Sequence, residues 1–168
     1  MPENRSTDDN TLDYLELPLD SPDRRRLPPL LRRAWYRLNQ AFRRRISKLG
    51  ITPDQFTVLR TLVENDCGIT QKEICNLMSS DPNTVAAILH RMDEAGLVER
   101  RPHAKDRRAL SNSISSLGKS KFEAARNIAI ELQQEILQSL PENRRETFLR
   151  DLEIVADACL KTLESAGD

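Results

Sequence analysis

Five basic side chains, Arg100, Arg101, Lys105, Arg107 and Arg108, fall within nine residues that hold a single acid, Asp106. Such a cluster offers guanidinium forks and an ammonium group to phosphate oxygens, and an arginine at its tip suits the negative potential of a narrow A·T minor groove. Asp106 is placed to brace that arginine or the loop backbone. A second group lies upstream, where Asn83, Thr84, Ala86, Ala87 and Arg91 share another nine-residue window. An Asn side chain can bond bidentately to adenine N6 and N7, and an Ala methyl can touch a thymine methyl. Thr84, Arg91 and a helix N-terminus can hold phosphate. These are chemistries of nucleic-acid recognition. Catalysis has little to draw on, with two histidines, no nucleophile–base pair, no phosphate loop and no metal-ligand spacing. Neither an enzyme nor a cofactor is expected.

The charge pattern sharpens this reading. The 168 residues carry 26 basic and 26 acidic side chains, so net charge attracts nothing. The charges are nonetheless segregated. Residues 1–23 hold seven acids and one Arg, and residues 24–50 hold ten bases and no acid. Residues 51–99 are net acidic by five, 100–121 net basic by six, and 122–168 net acidic by five. A basic stripe within a neutral chain is a more specific footprint than overall pI. The length suffices for one domain with a core. No apolar run is long enough to cross a membrane, and the N-terminus lacks the basic and apolar regions of a signal peptide. The three cysteines, Cys67, Cys75 and Cys159, are odd in number and lack CxxC spacing, which fits reduced thiols in a cytoplasmic protein.

The elements that must position these groups are mostly helical. Residues 1–27 read as an acidic, proline-containing extension with little order. From Pro28–Pro29 a helix runs to Gly50, with Leu31, Trp35, Leu38, Phe42 and Ile46 at helical spacing. Thr52-Pro53-Asp54-Gln55 supplies an N-cap, a proline at the first helical position and a capping-box Gln. Phe56, Leu59, Leu62 and Val63 form that helix's expected buried face. Thr70-Gln71-Lys72-Glu73 is a second capping box, opening a short helix with Ile74, Leu77 and Met78 inside. Ser79-Ser80 turns the chain, and Asp81-Pro82 caps the next helix, with Val85, Ile88, Leu89 and Met92 inward. Pro82, Asn83, Ala86, Ala87 and His90 then face outward. Two short helices joined by about three residues read as a helix-turn-helix over 70–95.

Leu97–Arg101 and Ala109–Ile114 are the only plausible strands, joined by the loop PHAKDRR. The basic cluster therefore sits on the tip of a hairpin, a wing over 97–114. Ser115 or Ser116 caps a long helix with Leu117, Phe122, Ala125, Leu132 and Ile136 on one side. Pro141 breaks it and starts a last helix with Phe148, Leu152, Val155, Cys159 and Leu163 in register. The expected fold class is mainly α with a small β-wing: a winged helix-turn-helix with long terminal helices.

The stretch DPNTVAAILHRMDEAGLVERRPHAKDRRALSNSISSLG, Asp81–Gly118, resembles the MarR family of bacterial winged-helix regulators. The matching residues are Gly96-Leu97-Val98-Glu99-Arg100, Asp106-Arg107-Arg108 and Gly118. The resemblance spans residues 28–164 and implies a winged helix-turn-helix at 52–115 with dimerisation helices at 28–49 and 116–164. It further implies a homodimer that binds a pseudo-palindromic operator in double-stranded DNA, acts as a repressor and places Arg108 in the minor groove. In this family small-molecule effectors often bind between the dimerisation helices and the DNA-binding lobe. One departure stands out. Ala87 occupies a position that is basic in many members, and Ala86 one that often carries a hydroxyl. Together with Asp81, this leaves the recognition helix little positive charge, and a shallow salt dependence of DNA binding is expected.

Other readings stand beside these. Arg24–Arg26 and Arg43–Arg45 are read as a solvated face, with phosphate contact as the alternative for Arg43–Arg45. Cys75 and Cys159 are expected to be buried and inert. A winged-helix protein-interaction module without specific DNA binding is the competing function, favoured by Ala86, Ala87 and Asp81 and opposed by the intact Asp106-Arg107-Arg108 loop.

Overall fold

A computed structural model describes residues 18, 21, 25–65, 68–102 and 110–165. The chain divides into two units, residues 1–41 and 42–168. In the first, helix α1 spans Leu27–Ile46; ahead of it, Ser21 N–H donates to the Pro18 carbonyl and the Arg26 guanidinium to the Ser21 carbonyl. Pro28 and Pro29 lie in the first turn, where their missing N–H groups cost no helical bond. Leu27, Leu30, Leu31, Trp35, Tyr36 and Leu38 are all exposed.

The second unit takes over α1 at Phe42. Phe42 and Ile46 are its buried residues, and a single 3₁₀ turn, Ser47–Leu49, follows. Gly50 closes that turn at φ +69°, a left-handed conformation that an L side chain resists. Helix α2, Pro53–Glu64, starts on a complete capping box: Gln55 N–H donates to Thr52 Oγ1, and Thr52 N–H donates to the Gln55 side chain. Val58 lies inside with Phe56, Leu59 and Leu62, while Val63 is only half-buried, so the buried face is rotated slightly from the expected one.

A short strand β1, Ile69–Thr70, precedes helix α3, Gln71–Met78, whose capping box pairs Thr70 with Glu73. Helix α4, Pro82–Glu94, follows, then strand β2, Val98–Pro102, and strand β3, Leu110–Ile114. Two long helices end the chain: α5, Ser116–Leu137, and α6, Glu142–Ser165. The sheet is antiparallel in the order β1-β3-β2, with Ile69 opposite Asn112, and Val98, Arg100 and Pro102 opposite Ile114, Asn112 and Leu110. β1 is the strand the sequence reading lacked. It is two residues long and sits where the helix cap already claims Thr70, so no alternation betrays it.

The core of this unit gathers Ile46, Val58, Leu59, Leu62, Ile74, Val85, Leu89 and Met92, each at most 1% exposed. Burying each such side chain contributes about 1.5–3 kcal/mol. Phe56 ties three helices together: it meets Phe42 edge-on at 5.0 Å and stacks on Phe122 at 5.5 Å. On α5, Phe122, Ala125 and Leu132 are buried, but Leu117 and Ile136 are exposed. Helix α6 has no buried residue among those described, and Phe148, Leu152, Ile154, Leu160 and Leu163 stand open. Cys159 is exposed too, contrary to expectation, because no described residue covers that face. Cys75 is buried as expected. No described helix is long and apolar enough to cross a membrane.

Candidate nucleic-acid interface

Helix α4 owes its position to one buried stripe. Val85, Ile88, Leu89 and Met92 recur at three- and four-residue steps and pack inward. That rotation leaves Asn83, Thr84, Ala87, His90 and Arg91 exposed on the other side, with Ala86 half-buried at the edge. Helix α3 is anchored against it by Ile74 and Cys75, and the Gln71 side chain donates to the Pro82 carbonyl at 3.0 Å. Leu77, expected inside, is 61% exposed. Successive inward positions on α3 are Ile74, Cys75 and the half-buried Met78, which turns Leu77 to solvent.

The turn between α3 and α4 uses Ser79 as a left-handed cap at φ 48°, with Ser79 N–H donating to Asn76 and Ser80 N–H to Cys75. Asp81 then caps α4. Its Oδ1 accepts the N–H groups of Asn83 at 3.0 Å and Thr84 at 2.9 Å. The Thr84 hydroxyl and these backbone donors hold its carboxyl below the usual aspartate range. By its sequence this helix N-terminus is a candidate phosphate site. The structure corrects that: a carboxylate of the chain itself already occupies the donors.

Arg91 is the one fixed cation on α4, and its Nε donates to the Ala87 carbonyl at 3.1 Å, leaving the rest of the guanidinium free to point outward. His90 lies 3.5 Å from Glu94 one turn on. Past α4, Gly96 at φ +67° reverses the chain into β2. Arg101 pairs with Glu99 at 2.8 Å on the exposed face, an ion pair of small energetic value.

The hairpin is tied to the helix-turn-helix by Asn112, a residue the sequence reading passed over. It is fully buried, and its Nδ2 donates to the Ile69 carbonyl of β1 at 3.0 Å. Its Oδ1, and the buried Nε of the cross-strand Arg100, have no hydrogen-bond partner among the described residues. The signal was present: Asn112 shares a strand face with Leu110 and Ile114, where an apolar residue would be ordinary. At the base of the wing, Ser115 Oγ donates to the Gly96 carbonyl at 2.6 Å and accepts the Gly118 N–H at 2.9 Å. This fixes the start of α5 against the end of α4.

Asn83, Thr84, Ala86, Ala87 and Arg91 are thus brought together on or beside one exposed helix face. Lys105, Asp106, Arg107 and Arg108 lie outside the described residues. Of the basic hairpin, the described part is Arg100 and Arg101 on β2. No group of His, Cys, Asp and Glu that could hold a metal ion occurs among the described residues. Arg45, in the last turn of α1, forms an ion pair with Glu135 of α5 at 2.6 Å, a partner that neither the solvated-face nor the phosphate-contact expectation included.

A capped helix-turn-helix, a three-stranded sheet and a hairpin leading into a long helix define a winged-helix protein. Residues 49–109 match the sequence model of the MarR family. Over 103 residues the chain is 29% identical to the HTH-type transcriptional repressor MdtR of Bacillus subtilis, covering 56% of this chain and 66% of that repressor's length. A mutant MarR from E. coli, solved in complex with operator DNA, matches with a TM-score of 0.70 at 25% identity, over 76% of this chain and 91% of that one. The S. aureus MepR–DNA complex matches with a TM-score of 0.73 over 80% of this chain and 98% of that one, and at 22% identity it shows the shared fold. In fold, and in sequence over residues 49–109, the chain is similar to the MarR family of winged-helix, DNA-binding transcriptional regulators.

Proposed function

We propose that the chain is a homodimeric repressor that reads a pseudo-palindromic operator in double-stranded DNA. The observation that carries this reading is the exposed face of α4, with Asn83, Thr84, Ala87 and Arg91 open to solvent above a fully apolar inner stripe. In the major groove, Asn83 takes an adenine edge, Ala86 and Ala87 contact thymine methyls, and Arg91 holds a phosphate, while the Thr84 hydroxyl stays on the Asp81 carboxylate. Lys105, Arg107 and Arg108 of the wing supply further phosphate and minor-groove contacts, with Asp106 bracing Arg108. The similar MarR of E. coli was solved with operator DNA, which disfavours an interaction module without specific DNA binding.

The dimer is proposed from exposed apolar side chains on three helices. Leu31, Trp35 and Leu38 on α1, Ile130 and Ile136 on α5, and Phe148, Leu152 and Leu163 on α6 are too numerous to leave in water in a stable monomer. Two-fold symmetry then sets two copies of α4 about one helical turn apart along the duplex. The protein works in the cytoplasm, without cofactor or chemical turnover. A small-molecule effector that prefers a conformation with mismatched spacing releases the DNA by population shift.

The test is selection of genomic DNA fragments by the purified protein at near-physiological salt, repeated with Arg108→Ala. Enrichment of one inverted repeat, lost in the variant, is the expected result. Binding with no enriched sequence would overturn the proposal.

A further inference from the structure

We propose that Asp81 is a specificity-determining residue: its carboxylate keeps backbone phosphates off the N-terminus of α4 and so weakens non-specific DNA binding more than operator binding. The inference rests on α4 being the recognition helix. Three observations lead to it. First, the free N–H groups and dipole that make a helix N-terminus attractive to phosphate are already engaged, since Asp81 Oδ1 takes both the Asn83 and Thr84 donors. Second, Asp81 is exposed at the N-terminal end of that helix, beside the exposed Asn83 and Thr84. Third, the helix has little charge to offset it. Arg91 stands against Asp81, Asp93 and Glu94, and Arg91 sits in the last turn, far from the N-terminus.

The two modes of binding feel this charge differently. Non-specific binding is almost wholly contact with phosphate, so a helix N-terminus that repels phosphate weakens that mode directly. In the operator complex the same turn faces base edges through Asn83, and phosphate contact falls to Arg91 and the wing. A unit charge ~6 Å from a phosphate in a water-like medium changes affinity about threefold, hence about tenfold for a dimer.

The experiment measures dissociation constants of the full-length protein for the selected operator and for a shuffled duplex of equal composition, across a salt series. The variants are Asp81→Asn and Asp81→Ser, which keep a good N-cap, so melting temperatures should stay within a few degrees of the parent. Asp93→Asn removes the same charge from the far end of the helix as a control. Expected for both Asp81 variants is about tenfold tighter binding to shuffled DNA and a salt slope steeper by about 2. Operator binding should tighten by less than threefold, and Asp93→Asn should shift either constant by less than twofold. Unchanged shuffled-DNA affinity would reduce Asp81 to a cap and overturn the inference. An equal gain from Asp93→Asn would assign the effect to overall charge and also overturn it. Weaker operator binding with shuffled DNA unchanged would make Asp81 a base reader and overturn it as well. If the parent protein binds neither duplex, the DNA-binding reading fails first, and the inference falls with it.

Discussion

Gly118, in the first turn of α5, packs directly on the carbonyl oxygen of Leu97 at the start of the wing. A Cβ at position 118 would overlap that oxygen and crowd Ile114 Cγ1 and Leu59 Cδ2 at 3.0 and 3.1 Å. The constraint is close approach, since this glycine does not need a left-handed φ. The neighbour is backbone and cannot swing aside. Gly118→Ala is therefore expected to destabilise the fold by about 1–3 kcal/mol despite the better helix propensity of alanine. Chemical denaturation measures this directly. An alanine variant as stable as the parent would mean that α5 and the wing do not meet this closely.

Ser79 gives the opposite sign. It is the one non-glycine residue with positive φ among those described, at φ 48°, ψ 46°. Its side chain makes none of the hydrogen bonds that define the turn. Ser79→Gly removes the penalty of a Cβ in the left-handed region but adds unfolded-state entropy. The net effect is expected to be a stabilisation of up to about 1 kcal/mol. A drop in melting temperature would contradict the assigned turn.

Asn112 links the wing to the helix-turn-helix through one buried bond to the Ile69 carbonyl. Asn112→Ala removes that buried bond and the side-chain packing between β1 and β3. The expected cost is about 1–3 kcal/mol, with faster amide hydrogen exchange along β3. Exchange that accelerates only at the chain ends would show that β1 is held by its backbone bonds alone.

The open stripe on α6 tests the dimer. Leu152 is 40% exposed between Phe148 and Val155 and contributes little to the fold of a single chain. Leu152→Glu should leave helical content near that of the parent while shifting sedimentation from dimer to monomer and weakening operator binding at least tenfold. A glutamate variant that remains dimeric would place the interface elsewhere.

Much of this architecture was legible because the chain marks its helices with chemistry. Thr52 with Gln55, Thr70 with Glu73, and Asp81 with Pro82 each announce a helix start, and each is found as a cap. The inward stripe of α4 was equally plain, from Val85 to Met92. What escaped depended on neighbours that no local pattern encodes. β1 is two residues long and is recognised only by its pairing with Ser111 and Asn112. Leu77 and Cys159 obey helical spacing yet lie outside, because periodicity finds a stripe without saying whether the chain itself covers it. Asp81 was read correctly as a cap, but its two bonds to Asn83 and Thr84 close the anion site that the same helix end would otherwise offer.

The central claim is that the exposed face of α4 reads sequence, and Asn83 is its sharpest point. The deciding measurement is the dissociation constant of the full-length protein and of Asn83→Ala for the selected operator and for shuffled DNA. Asn83 is exposed and uses only its backbone N–H in the cap, so the variant should fold normally. The parent should prefer the operator by about a thousandfold or more. Asn83→Ala should lose about 1–3 kcal/mol on the operator and nothing on shuffled DNA. Equal binding of the parent to both duplexes, or an alanine variant with undiminished operator preference, would contradict the account.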